Sequence, residues 1–153
     1  MSSRHEHQDE RVRVCHKAVE LLAAREHSQA ELRRKLKQRF PESDDIDAVI
    51  AQMVAEGYLS DTRYAEARVR ASLSRGHGPL MIRQKLQAAG VDAALAEQVL
   101  EDAAVDWMES ARAVLVARFG LQAPQDRRET ARRARFLSGR GFASDIIGRL
   151  LLA

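Results

Sequence analysis

Apolar residues recur every three or four positions along most of the chain, which is the spacing that places side chains on one face of an α-helix. In the first such segment, Val14, Ala18 and Leu22 form the apolar stripe. No segment alternates apolar and polar residues in the way that a half-buried strand requires. Alanine, leucine, arginine, glutamate and glutamine are abundant, and these residues favour helix over strand. The pattern therefore predicts an all-α protein.

Capping residues and helix breakers divide this pattern into about nine helices. Ser28 and Glu31 have the spacing of a capping box, in which each side chain satisfies a free backbone amide of the other residue. Pro41 ends the helix that follows, because proline lacks an amide hydrogen and clashes with the preceding turn. The predicted helices cover residues 11–25, 28–40, 43–56, 61–74, 79–89, 92–103, 106–119, 126–139 and 144–152.

The junction between the third and fourth helices is the most strongly specified stretch of the sequence. Gly57 stands where the third helix ends, a position that favours glycine because the backbone there adopts a positive φ. Tyr58 and Leu59 are expected to fold back over the finished helix. Ser60 and Asp61 offer side-chain oxygens to the free amides in the first turn of the next helix.

A weak internal repeat groups the nine predicted helices into three repeats of three helices each. Leu36, Leu86 and Leu137 occupy corresponding positions in three middle helices, about fifty residues apart. Because a single three-helix repeat cannot cover its own apolar face, we expect the repeats to stack into an elongated, curved body. The predicted organisation is a mobile N-terminal tail at residues 1–10, followed by three-helix repeats at residues 11–59, 60–104 and 105–153.

Positive charge is carried almost entirely by arginine. Only four of the 25 basic residues are lysine, and the net charge is +3. The planar guanidinium binds phosphate or carboxylate through two parallel hydrogen bonds, which favours nucleic acid or an acidic protein groove as the partner. The alternative interpretation is that these residues only keep the helix surfaces soluble. The candidate binding residues are Arg33, Arg34, Lys35, Arg63, Arg68, Arg70, Arg75, Arg83, Lys85, Arg128, Arg132 and Arg135.

Motifs for catalysis, cofactor binding and metal binding are absent from the sequence. There is no phosphate-cradling glycine loop, no Gly-x-Ser-x-Gly and no cluster of cysteine and histidine at metal-ligand spacing. Cys15 is expected to be a small core residue, and His16, His27 and His77 are expected to be surface or turn residues. No apolar run reaches about 18 residues, and no signal peptide is recognisable. We therefore expect a cytoplasmic, monomeric protein without catalytic activity, cofactor or metal.

Two stretches resemble the bacterial RecX regulatory proteins. They cover residues 14–105 most clearly, and the last third is similar in architecture more than in residues. The matching positions are Leu21–Ser28, Glu31-Leu32 and Lys35-Leu36 in the first repeat, then Gly57–Asp61, Tyr64-Ala65, Arg68–Arg70, Arg75-Gly76, Gly78-Pro79, Ile82, Leu86 and Gly90-Val91. One departure is Ser60, which stands where the family often has an acidic residue.

The resemblance implies a modulator of homologous recombination and DNA repair. A RecX-like protein consists of three three-helix repeats, lodges in the groove of the RecA filament, and limits filament growth, ATP hydrolysis and strand exchange. Some family members also bind DNA, which here would occur through phosphate contacts. The alternative is a stand-alone DNA-binding protein, since each three-helix unit is similar to a helix-turn-helix reader. A third possibility is an interaction scaffold.

Overall fold

The computed structural model describes residues 2–152, except for the side chain of Ser2. Within that range the chain forms nine α-helices and no strand, which confirms the all-α prediction. The helices are α1 (Ser2–Ala24), α2 (Gln29–Arg39), α3 (Ile46–Ala55), α4 (Asp61–Ser74), α5 (Pro79–Ala88), α6 (Ala93–Asp102), α7 (Trp107–Phe119), α8 (Arg127–Gly139) and α9 (Ser144–Leu151).

Two helix starts differ from the prediction. Helix α1 begins at Ser2 and not near Arg11, although residues 3–9 are exposed and bury no apolar face. Once a buried segment has nucleated a helix, each added residue costs little, so the helix extends into solvent without an apolar stripe. Helix α3 begins at Ile46, because the Ser43 hydroxyl accepts a hydrogen bond from the Asp45 amide (3.1 Å) and holds a turn before the helix.

The chain forms two compact units. The first runs to Ala67 and includes the short segment Ala89–Val91, and the second comprises Arg68–Ala88 and begins again at Asp92. In the first unit, α1, α2 and α3 close around one apolar cluster to which Leu59 also contributes. The half-buried Cys15 packs against that cluster, in agreement with its expected place at the core. The cluster comprises Val14, Ala18, Leu32, Leu36, Ile46, Val49, Ile50, Met53 and Leu59.

The second unit has its own core between α7, α8 and α9, centred on Ala111, Leu137 and Phe142. The start of α5 is joined to the turn between α8 and α9 by two backbone hydrogen bonds. The Gly78 amide donates to the carbonyl of Arg140 (2.7 Å), and the Leu80 amide donates to the carbonyl of Gly141 (3.0 Å). These bonds fix the first turn of α5 within the second unit.

The start of α2 connects three separate stretches of the first unit. The Ser28 hydroxyl accepts from the Glu31 amide (3.1 Å), as the capping box predicts, and donates to the carbonyl of Ala89 (2.6 Å). The Gln29 amide donates to an oxygen of the Asp61 side chain (2.7 Å). The first four amides of a helix have no partner within it, and leaving such an amide buried without a hydrogen bond is costly. Ser28 satisfies the Glu31 amide, and Asp61 satisfies the Gln29 amide.

The junction at residues 57–61 is therefore only partly as predicted. Gly57 has a φ of +80°, and the Ser60 hydroxyl accepts from the amide of Arg63 (3.2 Å), which confirms both expectations. Leu59 is buried, whereas Tyr58 is 54% exposed and does not cover the finished helix. Asp61 differs from the prediction, because its carboxylate accepts from the Gln29 amide and thereby caps α2 and not its own helix.

We predict that Gly90→Ala destabilises the protein more than Gly57→Ala. Both glycines have a positive φ, of +78° and +80°, so either alanine costs about 1–2 kcal/mol of backbone strain. A Cβ at residue 90 would also lie 2.5 Å from the Cβ of Ala30, whereas at residue 57 nothing lies within 4 Å. This overlap adds roughly 1–3 kcal/mol of overpacking, measurable by urea unfolding followed by circular dichroism. Equal losses for the two variants would contradict the packing argument.

Candidate nucleic-acid and protein interface

Three of the twelve candidate residues already have carboxylate partners. Arg33 pairs with Asp47 (3.0 Å), Arg63 pairs with Glu26 (3.0 Å), and Arg83 pairs with a carboxylate of α6. Arg63 also donates to the carbonyl of Gly57 (2.8 Å), which joins α4 to the preceding junction. To contact a partner, an arginine of this kind has to give up an existing interaction.

The two candidate lysines are held by histidines. The ammonium of Lys35 donates to Nε2 of His27 (2.8 Å), and that of Lys85 donates to Nδ1 of His77 (3.1 Å). Both lysines are half-buried, and both lie eight residues after their histidine. The same pair is thus built once in the first unit and once in the second.

The remaining seven candidates have no ion-pair partner among residues 2–152. Arg68 is half-buried, and its Nε is enclosed without any hydrogen-bond partner in that range. Six of the seven belong to the second unit, so most of the uncompensated candidate charge lies there. The seven residues are Arg34, Arg68, Arg70, Arg75, Arg128, Arg132 and Arg135.

Two histidines are buried more deeply than the sequence indicated. His27 and His77 lie in the connections before α2 and α5, in agreement with the expected turn positions, but they are only 1% and 8% exposed and do not lie at the surface. Nδ1 of His27 lies 3.0 Å from the carbonyl of Arg25, and this contact requires Nδ1 to donate. Nε2 is then free to accept from Lys35, which identifies His27 as a neutral ring. The recurrence of Arg-x-His at residues 25–27 and 75–77 was the signal that would have found both rings.

Arg133 lies between the candidates Arg132 and Arg135 in the sequence of α8, but it is only 4% exposed, whereas those two are exposed. Its guanidinium donates to the carbonyl of Gln122 (2.8 Å) and to the carboxylate of Glu129 (2.8 Å), and it lies 5.1 Å from the centre of the Phe119 ring. Arg133 therefore anchors the loop before α8. Two arginines of the second unit that were not candidates, Arg118 and Arg140, have no carboxylate partner in the described chain.

The electrostatics of the two histidine–lysine pairs differ. Burial is the main reason that the pKa of His27 and that of Lys35 are both lowered. Close by, burial of Glu31 would raise its pKa, but hydrogen bonds from Arg25, Tyr64 and the Ser28 amide outweigh this and lower it. A stable carboxylate therefore sits among the cations of the first pair.

No such carboxylate acts on the second pair. Burial lowers the pKa of His77, and the positive charges of Lys85, Arg140, Arg75 and Arg68 lower it further. The pKa of Lys85 is lowered by burial and then by Arg68 and Arg75. These side chains lie close enough to repel one another, and no acidic group in the described chain perturbs His77 or Lys85.

The described chain has neither a cluster of metal-binding side chains nor a helix suited to a membrane. Between residues 2 and 152, no three histidine, cysteine, aspartate or glutamate side chains cluster as a metal site would require. In the same range, no helix is both long and apolar enough to cross a membrane.

Comparison with known proteins gives matches along nearly the whole chain. Profiles described as the first, second and third three-helix domains of RecX match residues 16–53, 60–100 and 104–151. A protein of Pseudomonas savastanoi pv. phaseolicola named "Regulatory protein RecX" is 43% identical over 143 residues, covering 94% of this chain and 92% of that protein. A protein of the same name from Halorhodospira halophila is 45% identical over 128 residues, covering 84% and 80%.

The fold is also similar to solved structures. The crystal structure of RecX from Lactobacillus salivarius superposes with a TM-score of 0.79, covers 95% of this chain and 96% of that chain, and is 23% identical. This similarity concerns the fold alone. Together with the three matched domains, it confirms the prediction of three tandem three-helix repeats.

We predict that the protein loses stability as the pH falls below about 6.5, the ordinary pKa of a histidine. The pKa values of His27 and His77 are lowered in the folded state, so the unfolded chain binds more protons as acid is added. Their contribution is fully present above that pH and is lost on acidification. His27→Gln with His77→Gln should flatten the dependence of the unfolding free energy on pH between 7.5 and about 5.5, since glutamine accepts from lysine without titrating. The exposed His16→Gln is the control, and an equal flattening there would contradict the assignment.

Proposed function

Because this chain belongs to the RecX family of regulatory proteins, we propose that it acts on the RecA recombinase. In this proposal the protein binds in the groove of the RecA filament and inhibits filament extension, ATP hydrolysis and strand exchange. It would do so by occupying a surface and not by catalysis. The family assignment is the observation that carries the proposal, and the relatives are themselves named regulatory proteins.

The distribution of charge supports a partner with an acidic surface. Arg70, Arg128 and Arg135 are exposed and have no carboxylate within ion-pair distance in residues 2–152. Exposed, unpaired cations accelerate association with a surface of opposite charge and lose that effect as salt increases. A filament groove that contains acidic side chains and DNA phosphates is a surface of this kind.

A second candidate function is DNA binding without RecA. Arg128, Arg132 and Arg135 follow one another at the i, i+4 and i+7 positions of α8, and such a face can follow a phosphate backbone. A helix that reads bases in the major groove would distinguish sequences. Binding that is lost when one base pair is changed would favour this function, whereas binding that only weakens with salt would indicate phosphate attraction.

The proposal predicts that a substoichiometric amount of the protein slows ATP hydrolysis by RecA on single-stranded DNA. A molecule that blocks extension of a filament affects many RecA subunits, so inhibition should exceed the fraction of RecA that is bound. The measurement is a steady-state ATPase titration together with filament length by electron microscopy. No inhibition at a molar excess would refute the proposed function.

We further predict that unpaired arginines matter more than paired ones for binding to the filament. Arg70→Gln with Arg135→Gln should weaken binding roughly tenfold, because each exposed ion pair contributes up to about 1 kcal/mol. Arg33→Gln with Arg83→Gln removes the same net charge from residues that already pair with carboxylates, and should have a smaller effect. The readout is co-sedimentation with filaments at two salt concentrations, with circular dichroism as the check of folding. A larger loss in the paired variant would contradict the prediction.

A further inference from the structure

Three residues recur fifty positions apart in the first two repeats. Arg25, His27 and Lys35 of the first repeat correspond to Arg75, His77 and Lys85 of the second. In each repeat the lysine ammonium donates to a ring nitrogen of the buried histidine. The two repeats therefore build the same cationic group beside the start of their middle helix.

In the first repeat this group encloses a carboxylate that belongs to the chain itself. Glu31 is 9% exposed, and its Oε2 accepts from Nη2 of Arg25 (3.0 Å). Its second oxygen accepts a longer hydrogen bond from the Ser28 amide (3.4 Å). The internal carboxylate neutralises Arg25 and lies close enough to stabilise the charge of Lys35.

In the second repeat the position of Glu31 is taken by Met81, which has no charge. Two further arginines, Arg68 and Arg140, act on the same histidine. Within residues 2–152, no carboxylate lies within ion-pair distance of Arg68, Arg75, Lys85 or Arg140. The second repeat thus has the corresponding cations Arg75 and Lys85 and two further arginines, but no carboxylate in the place of Glu31.

Two of the four cations of the second repeat, Arg140 and Lys85, are held by hydrogen bonds of their side chains. Nη1 of Arg140 donates to the carbonyl of Arg75 (3.2 Å), and the carbonyl of Arg140 accepts from the Gly78 amide (2.7 Å). Lys85 is fixed by His77, and the Nε of Arg68 is enclosed without a partner in the described chain. An anion that binds here would find the donors of Arg140 and Lys85 already positioned, so less conformational entropy would be lost than at a site of freely moving side chains.

We propose that Arg68, Arg75, Lys85 and Arg140, grouped around His77, form a binding site for a phosphate group of a nucleic-acid strand. The bound phosphate takes the place that the Glu31 carboxylate has in the first repeat. Arginine and lysine are the side chains that most commonly contact phosphate oxygens. The inference deepens the proposed function by naming the ligand, but the site itself requires no recombinase.

The neighbouring cavity favours a nucleic-acid strand over free phosphate. It has a volume of about 430 Å³, and Arg75 and Arg140 line it together with apolar side chains such as Leu73, Val114 and Phe136. The guanidinium of Arg140 lies 5.3 Å from the centre of the Phe136 ring. A phosphate ion gains nothing from apolar walls, whereas the sugar or base attached to a backbone phosphate can bury apolar surface against them.

The first test measures binding of a fluorescently labelled oligothymidylate to the full chain without RecA, by anisotropy at several salt concentrations. Lys85→Gln should weaken binding about tenfold, as expected for a lost hydrogen bond between charged groups. It should also lower the slope of log affinity against log salt by about one, as expected for one lost phosphate contact. Lys35→Gln is the corresponding variant in the first repeat, where Glu31 already supplies the anion, and should reduce both quantities less than Lys85→Gln does. Equal losses in both variants would overturn the proposal.

A second variant inserts the missing carboxylate. Met81→Glu should abolish most of the oligothymidylate binding, because the new side chain would occupy the site as Glu31 does in the first repeat. Met81→Gln has nearly the same size without the charge, and should bind as the unaltered protein does. Thermal unfolding followed by circular dichroism identifies a variant that fails to fold. Folded Met81→Glu that binds with undiminished affinity would overturn the proposal.

A third measurement reports on the site directly. Binding of a phosphate beside His77 should raise the pKa of that ring, whereas the pKa of His27 should stay unchanged, as followed by NMR of the ring protons. Oligothymidylate should saturate this shift at a lower concentration than inorganic phosphate. Equal affinities for the two would overturn the assignment to a strand, and tighter binding of an oligoglutamate peptide would assign the site to an acidic protein. If the protein binds oligothymidylate as predicted but does not inhibit RecA, the proposed function is refuted and the phosphate site is not.

Discussion

The organisation of the first unit depends on the hydrogen bonds at the buried start of α2. A helix begins with four amides that its own carbonyls cannot satisfy, and a buried start must find partners elsewhere. Ser28 is fully buried, and its hydroxyl lies between the Glu31 amide and the carbonyl of Ala89. The neighbouring Gln29 amide is satisfied by Asp61. Segments that lie 32 and 61 residues away along the chain are thus held at one point.

These partners also explain which features could be predicted from the sequence. Helix existence followed from local spacing, since apolar periodicity and the residues of a capping box act within one or two turns. The partner of Asp61 could not be predicted in this way, because a capping oxygen serves whichever free amide lies near it in space. The extension of α1 to Ser2 escaped prediction for a different reason. An exposed helical turn has no apolar stripe, so it leaves no periodic signal.

The candidate interface was predictable in composition but not in pairing. The sequence identified the arginines, and the structure showed that Arg33, Arg63 and Arg83 are neutralised by carboxylates whereas Arg68 and Arg70 are not. Whether an arginine is paired depends on carboxylates that are distant from it in the sequence. The spacing of charges along one helix does not indicate where those carboxylates lie. The buried histidines were missed because a single histidine has no pattern. Their recurrence becomes informative only when the repeats are aligned on Leu36 and Leu86.

The first two repeats differ in the charge that surrounds their buried histidine. The first repeat retains an internal anion in Glu31, whose hydrogen bonds outweigh the cost of its burial. The second repeat keeps cations in the corresponding places without that anion, although burial and then mutual repulsion lower the pKa of its histidine and of its lysine. Such repulsion reduces the stability of the folded chain unless a ligand offsets it. A functional surface is expected to reduce the stability of the free protein and to be stabilised when its ligand binds. Arginines that served only solubility would not need to be gathered around a buried histidine ring.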